Sequence, residues 1–147
     1  MFRAQFILGG MDRREWGDGL TDSGFSLLLG ALCAWNERAL RALQARGVTL
    51  PWIDDLGVRY VAEEPPREEW LDILELAGRG EGDCEDLACA EAAMWRVYRQ
   101  VPAVPCFAHR PVDMPDVGRV ELFHCFVRLP DGRLSDPSAR LGMRPIH

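Results

Sequence analysis

A chain of 147 residues, 48% of them hydrophobic, is long enough for one domain with a substantial core and short for two. Its 17 basic and 23 acidic residues leave a formal charge of -6, which argues against general affinity for phosphate backbones or anionic membranes, so nucleic acid is not an expected partner. The opening Met1 to Gly10 has no charged leader followed by a long apolar run, and no later stretch approaches a membrane span; the expectation is a soluble, cytoplasmic protein with no membrane partner.

In chain order, Phe2, Ala4, Phe6 and Leu8 alternate with Arg3, Gln5 and Ile7, which predicts a short half-buried strand ended by Gly9-Gly10. Thr21, Asp22 and Ser23 offer N-caps to a run in which Phe25, Leu28, Leu29, Leu32, Trp35, Leu40 and Leu43 recur at helical spacing. Gly47 stops it, so a long amphipathic helix is predicted over 23–46. Leu50 to Tyr60 reads as irregular with a short extended piece at its end. Pro65-Pro66 is read as introducing a helix through Glu68, Trp70, Leu71, Ile73, Leu74 and Leu76. Gly78, Gly80 and Gly82 loosen the chain before Asp83-Cys84, and the Leu- and Ala-rich stretch to Tyr98 predicts a helix with Cys84 at its start. Beyond it the pattern turns to β: a proline-broken edge from Val101 to His109, a strand from Val120 to Leu129, and a turn at Asp131-Gly132 leading to Arg133 to Asp136. Helices followed by antiparallel strands indicate an α+β domain.

Five cysteines at irregular spacing (Cys33, Cys84, Cys89, Cys106, Cys125) do not form a disulfide framework, so reduced thiols are expected. Cys84 is the candidate nucleophile. A helix N-terminus favours the thiolate, while Asp83, Glu85 and Asp86 oppose it as like charges. With Asp83 as the N-cap, steps of about 100° per residue are expected to turn Glu85 and Asp86 away from the sulfur. An imidazole partner is then needed, and the chain has His109, His124 and His147. His124 lies among apolar strand residues, which would hold a base rigidly, and the hairpin return can bring Asp136 beside it to orient the ring. Taken singly, each of these residues is more often packing than chemistry.

Together, the order of glycine loop, helix-start Cys, strand His and hairpin-return Asp resembles the transglutaminase-like, papain-related core. The resemblance runs from Val58 to Met143 and rests on Val58-Arg59-Tyr60, Gly80 to Ala88, Val101-Pro102-Ala103, Phe123-His124, Asp131-Gly132 and Asp136 to Met143; residues 1–57, the strand and long helix, lie outside it. Gly82-Asp83-Cys84-Glu85-Asp86-Leu87-Ala88 with Asp136-Pro137-Ser138-Ala139-Arg140-Leu141-Gly142-Met143 is similar to small transglutaminase-like proteins of bacteriophage and prophage structural regions. Two departures are Gln100, where the family commonly has glycine, and Cys125-Phe126, where many relatives carry a small residue and then Trp. The resemblance implies one domain over 1–147 with a papain-like core, N-terminal helices on an antiparallel sheet, and a Cys84-His124-Asp136 triad. The implied activity is hydrolysis of a peptide or amide substrate without a cofactor, in a host cytoplasm or associated with a virion. A virion assembly module with an idle triad, docking on phage structural proteins, and an amine-transferring crosslinker are the alternatives.

Acyl transfer also needs an oxyanion hole, to which the Cys84 N–H is one natural donor. Tyr60 is the first candidate for the second donor and Trp52 the next, packing being the alternative role for each. A zinc site drawn from Cys84, Cys89, Cys106, His109, His124 and Cys125 lacks paired ligand knuckles, so no metal is expected.

Overall fold

The computed structural model describes residues 3–7, 22–63, 67–115 and 118–144. Its elements are strand β1 (Arg3–Ile7), helix α1 (Asp22–Ala45), a 3-10 turn (Ile53–Asp55), β2 (Arg59–Tyr60), β3 (Arg67–Leu71), α2 (Ile73–Arg79), β4 (Glu81–Gly82), α3 (Cys84–Tyr98), β5 (Val104–Met114), β6 (Gly118–Arg128), β7 (Leu134–Ser135) and α4 (Pro137–Arg140). This is a mixed helix and sheet architecture of the α+β kind. No helix among the described residues is long and apolar enough to cross a membrane.

The long helix forms where its apolar stripe predicts, burying Phe25, Leu29, Leu32, Cys33 and Leu40, and it ends before Gly47, which takes a φ of 77°. The helix α3 differs in kind: 12 of its 15 residues are buried, because it is packed between α1 on one side and the β5–β6 hairpin on the other. Small residues at 88, 90, 92 and 93 let those neighbours approach. The sheet order is β5-β6-β7, with Phe107 opposite Cys125, Ala108 opposite His124 and Val127 opposite Ser135. The proline-broken segment thus becomes an edge strand, though it starts at Val104 and runs past the expected His109 to Met114.

The segment after Pro66 departs from expectation. Arg67–Leu71 is a strand paired antiparallel with β1, Arg3 opposite Leu71, and the helix begins only at Ile73. The reason is Asp72. Its carboxylate accepts hydrogen bonds from the Leu74 and Glu75 N–H groups at 3.0 and 2.9 Å and from Trp35 Nε1 at 3.2 Å, which fixes the helix start at that residue. Buried Asn36 reinforces the junction by accepting from the Ile73 N–H at 2.8 Å. Gly9-Gly10 and Pro65-Pro66 lie outside the described residues.

A second small sheet bears directly on the cysteine. Strands β2 and β4 pair in parallel, Tyr60 opposite Gly82, and the Val61 N–H bonds the Gly82 carbonyl at 2.9 Å. Gly80, at a φ of 74°, closes α2 in the left-handed conformation, so the glycine loop is in fact a helix end followed by a two-residue strand.

Candidate active site

Asp83 caps α3 through a reciprocal box: its carboxylate accepts from the Asp86 N–H at 3.4 Å, while Asp86 accepts from the Asp83 N–H at 3.2 Å. The other Asp86 oxygen accepts from the Leu71 N–H at 2.6 Å, tying the helix start to β3. Cys84 is thereby held as the first helical residue, as expected. Gly82 has a steric role, since a Cβ there would come within 2.5 Å of Leu76 Cδ1 and 3.0 Å of Asp86 Oδ2.

His124 and Asp136 are brought together. Asp136 Oδ2 lies 2.7 Å from His124 Nε2, and its Oδ1 accepts from the Ala139 N–H at 3.1 Å as the N-cap of α4. One carboxylate therefore starts a helix and orients the imidazole. His124 is half-buried and leaves the strand on the side of Phe126, whose ring centroid is 6.4 Å away.

The expected turn of the flanking acids away from the sulfur holds for Asp86 and fails for Glu85. Cys84 Sγ lies 3.2 Å from Glu85 Oε2, and both residues are buried. Helical spacing sets the Cα directions, but a glutamate side chain excluded from water folds back to the nearest donor. The second neighbour of the thiol is Cys125, the residue after His124, fully buried on the opposite face of β6. Among the described residues no hydrogen bond joins Cys84 to His124. The expected thiol–imidazole contact is replaced by contacts to Glu85 and Cys125.

This environment raises the thiol pKa. The hydrogen bond toward the Cys125 sulfur and burial hold Cys84 well above its ordinary value of 9.0, Asp83 adds repulsion, and the Cys125 N–H opposes the rise. The helix N-terminus is outweighed. For Cys125 the Cys84 hydrogen bond lowers the value, burial raises it, and the result is about 11. Burial and then repulsion from Glu85 also push Asp83 up, and burial with repulsion from Asp83 does the same to Asp86.

Tyr60 is half-buried beside this turn. Burial, then the charges of Cys84, Asp83, Glu85 and Asp136, push its phenol up to about 12, so the hydroxyl keeps its proton. Trp52 sits elsewhere. It packs edge-on against Trp95 at 5.2 Å with Arg99 over its ring, and Trp95 is eleven residues, about 16 Å of helix, from Cys84. It is a packing residue and not an oxyanion donor in this arrangement.

Glu91 is a buried residue that sequence reasoning passed over. Its Oε1 accepts from Ser135 Oγ at 2.8 Å, Arg140 Nη2 at 3.1 Å and Trp95 Nε1 at 3.4 Å. Ser135 and Arg140 flank Asp136, so Glu91 fastens the Asp136 segment to α3. The signal was present: one glutamate in an otherwise apolar stretch from Leu87 to Met94. Of the remaining thiols, Cys33 and Cys89 are buried, and Cys106 is the partly exposed one. His147 and the His109 side chain lie outside the described residues.

Comparison of the chain with protein-family models, with curated proteins and with solved structures returned no match.

Proposed function

We propose that this protein is a thiol-dependent acyl-transfer enzyme of the transglutaminase-like, papain-related type, hydrolysing a peptide or amide bond with Cys84 as nucleophile, His124 as base and Asp136 as the residue that orients it. The observation that carries the reading is the 2.7 Å contact between His124 Nε2 and Asp136 Oδ2, because it commits one ring nitrogen to the carboxylate and leaves Nδ1 for a thiol. Helix α3, which begins at Cys84, packs on the same strand.

In the catalytic step the thiol turns from Glu85 toward His124 and passes its proton to Nδ1. The sulfur adds to the substrate carbonyl, and the Cys84 N–H and the protonated Tyr60 phenol are the donors at hand for the oxyanion. The imidazolium then protonates the leaving amine, and water, activated by the same ring, hydrolyses the thioester. An amine in place of water would make the product a crosslink. An acyl-type activity probe read by mass spectrometry is expected to mark Cys84 in the wild type and to lose that mark in His124→Ala. A probe that marks His124→Ala as fast as wild type removes the triad.

A second reading is favoured by the thiol itself, which is buried, protonated and turned to Glu85 and Cys125. In it the fold serves as a docking module of phage assembly and the triad is idle. Assembly would then tolerate Cys84→Ala.

A further inference from the structure

The Cys84 sulfur, a Glu85 carboxylate oxygen and the Cys125 sulfur all lie within 4.8 Å of one another, and all three residues are buried. Two of them stand on the first turn of α3 and the third on β6, so tertiary packing alone brings the set together. We infer that this triangle is a binding site for one thiophilic divalent metal ion of the Zn2+ class, coordinated by Cys84, Cys125 and Glu85.

Distances and donor chemistry support this. A tetrahedral ion with metal–sulfur bonds of about 2.3 Å and metal–oxygen bonds of about 2.0–2.2 Å holds its ligand atoms roughly 3.6–3.8 Å apart. The Cys84–Glu85 edge, at 3.2 Å, is already shorter than that, and no edge has to contract by more than about 1.2 Å from the 4.8 Å limit. Such a contraction is within the reach of small side-chain rotations. Two thiolates with one carboxylate select zinc, cadmium or cobalt over magnesium and calcium, which take oxygen ligands. Three protein ligands leave a fourth position for water.

Binding releases the two thiol protons to the buffer, and the carboxylate coordinates through its lone pair. The inference does not depend on acyl transfer. Its connection with that reading is competitive, because an ion on Cys84 withholds the sulfur from His124.

The test uses the reduced full-length chain. Zn2+ is titrated in competition with a chromophoric chelator, and Co2+ is titrated while thiolate-to-metal charge transfer is followed in the near ultraviolet. One ion per chain and about two protons released per ion near neutral pH are expected. Cys125→Ser should weaken binding about a hundredfold or more, and Glu85→Gln about tenfold, on the scale by which metal sites lose affinity. Cys106→Ala and His124→Ala should leave it unchanged. Because Cys125 is buried and its variant needs a circular dichroism check of folding, X-ray absorption on the zinc-loaded wild type gives a second reading: two sulfur and two lighter ligands are expected. Absence of binding, binding that survives Cys125→Ser, loss on His124→Ala, or a shell without two sulfurs overturns the site. None of these readouts involves a substrate, so failure of the metal site and failure of acyl transfer are distinguishable.

Discussion

The Cys84 thiol meets the carboxyl group of its own neighbour, Glu85, at 3.2 Å, and this contact sets the resting state of the sulfur. Two buried acids, Asp83 and Glu85, and a second thiol surround a group that would need to be an anion to react. In the proposed mechanism, His124 is the group that would offset them once the thiol turns.

Alkylation should report this state. Cys106 is the partly exposed thiol, so limited iodoacetamide on the wild type is expected to mark it, and a Cys106→Ala background isolates Cys84. The raised Cys84 pKa means that its labelling rate should keep climbing above pH 9 and not level off near neutrality. In the same window the protein should lose stability, because a thiol whose folded pKa is raised keeps its proton in the fold and releases it on unfolding once pH passes the ordinary value. Glu85→Gln removes the acid 3.2 Å from the sulfur and should speed Cys84 labelling. His124→Ala should slow it. Labelling of Cys84 that is indifferent to both changes, read by peptide mass spectrometry, would leave the thiol without a working partner and favour the docking reading.

Asp136 has two duties that substitution can separate. Asp136→Ala removes the N-cap of α4 and should cost about 1 kcal/mol in urea unfolding. Asp136→Asn keeps a capping oxygen and should cost less, yet both variants should lose activity, since an amide supplies no charge to the imidazolium. Activity retained in Asp136→Asn would reduce the residue to a cap.

Gly82 is required by space. In Gly82→Ala the new methyl meets Leu76 and Asp86 at the helix start, and a loss of about 1–3 kcal/mol is expected from overpacking, with slower labelling of Cys84 if the turn shifts. An unchanged melting temperature would show that Leu76 yields freely.

At the far end of the same helix, Gln100 has a φ of 54°, in the left-handed region that suits glycine. A left-handed backbone at a residue with a Cβ is a cost carried by this chain. Gln100→Gly should stabilise it by about 1 kcal/mol or less, the relief of strain being partly offset by glycine's entropy when unfolded. Destabilisation, measured by chemical unfolding, would mean that the glutamine side chain makes a compensating contact.

Local physics made much of this protein readable in one dimension. The stripe from Phe25 to Leu40 is a helix because side chains repeat with the helical period, and Asp83-Cys84 opens α3 because a short acceptor before an alanine-rich run caps a helix. His124 and Asp136 could be paired from the Asp131-Gly132 turn, since a short hairpin sets the register on either side of it. Packing decided the rest. The strand at Arg67–Leu71 exists because β1, far away at the start of the chain, pairs with it and Asp72 accepts from Trp35. Likewise Glu85 turns to the thiol, and Cys125 comes to meet Cys84, because burial removes water as the competing partner. Sequence spacing measures distance along the chain, whereas the state of a sulfur depends on which groups the folded chain presses against it.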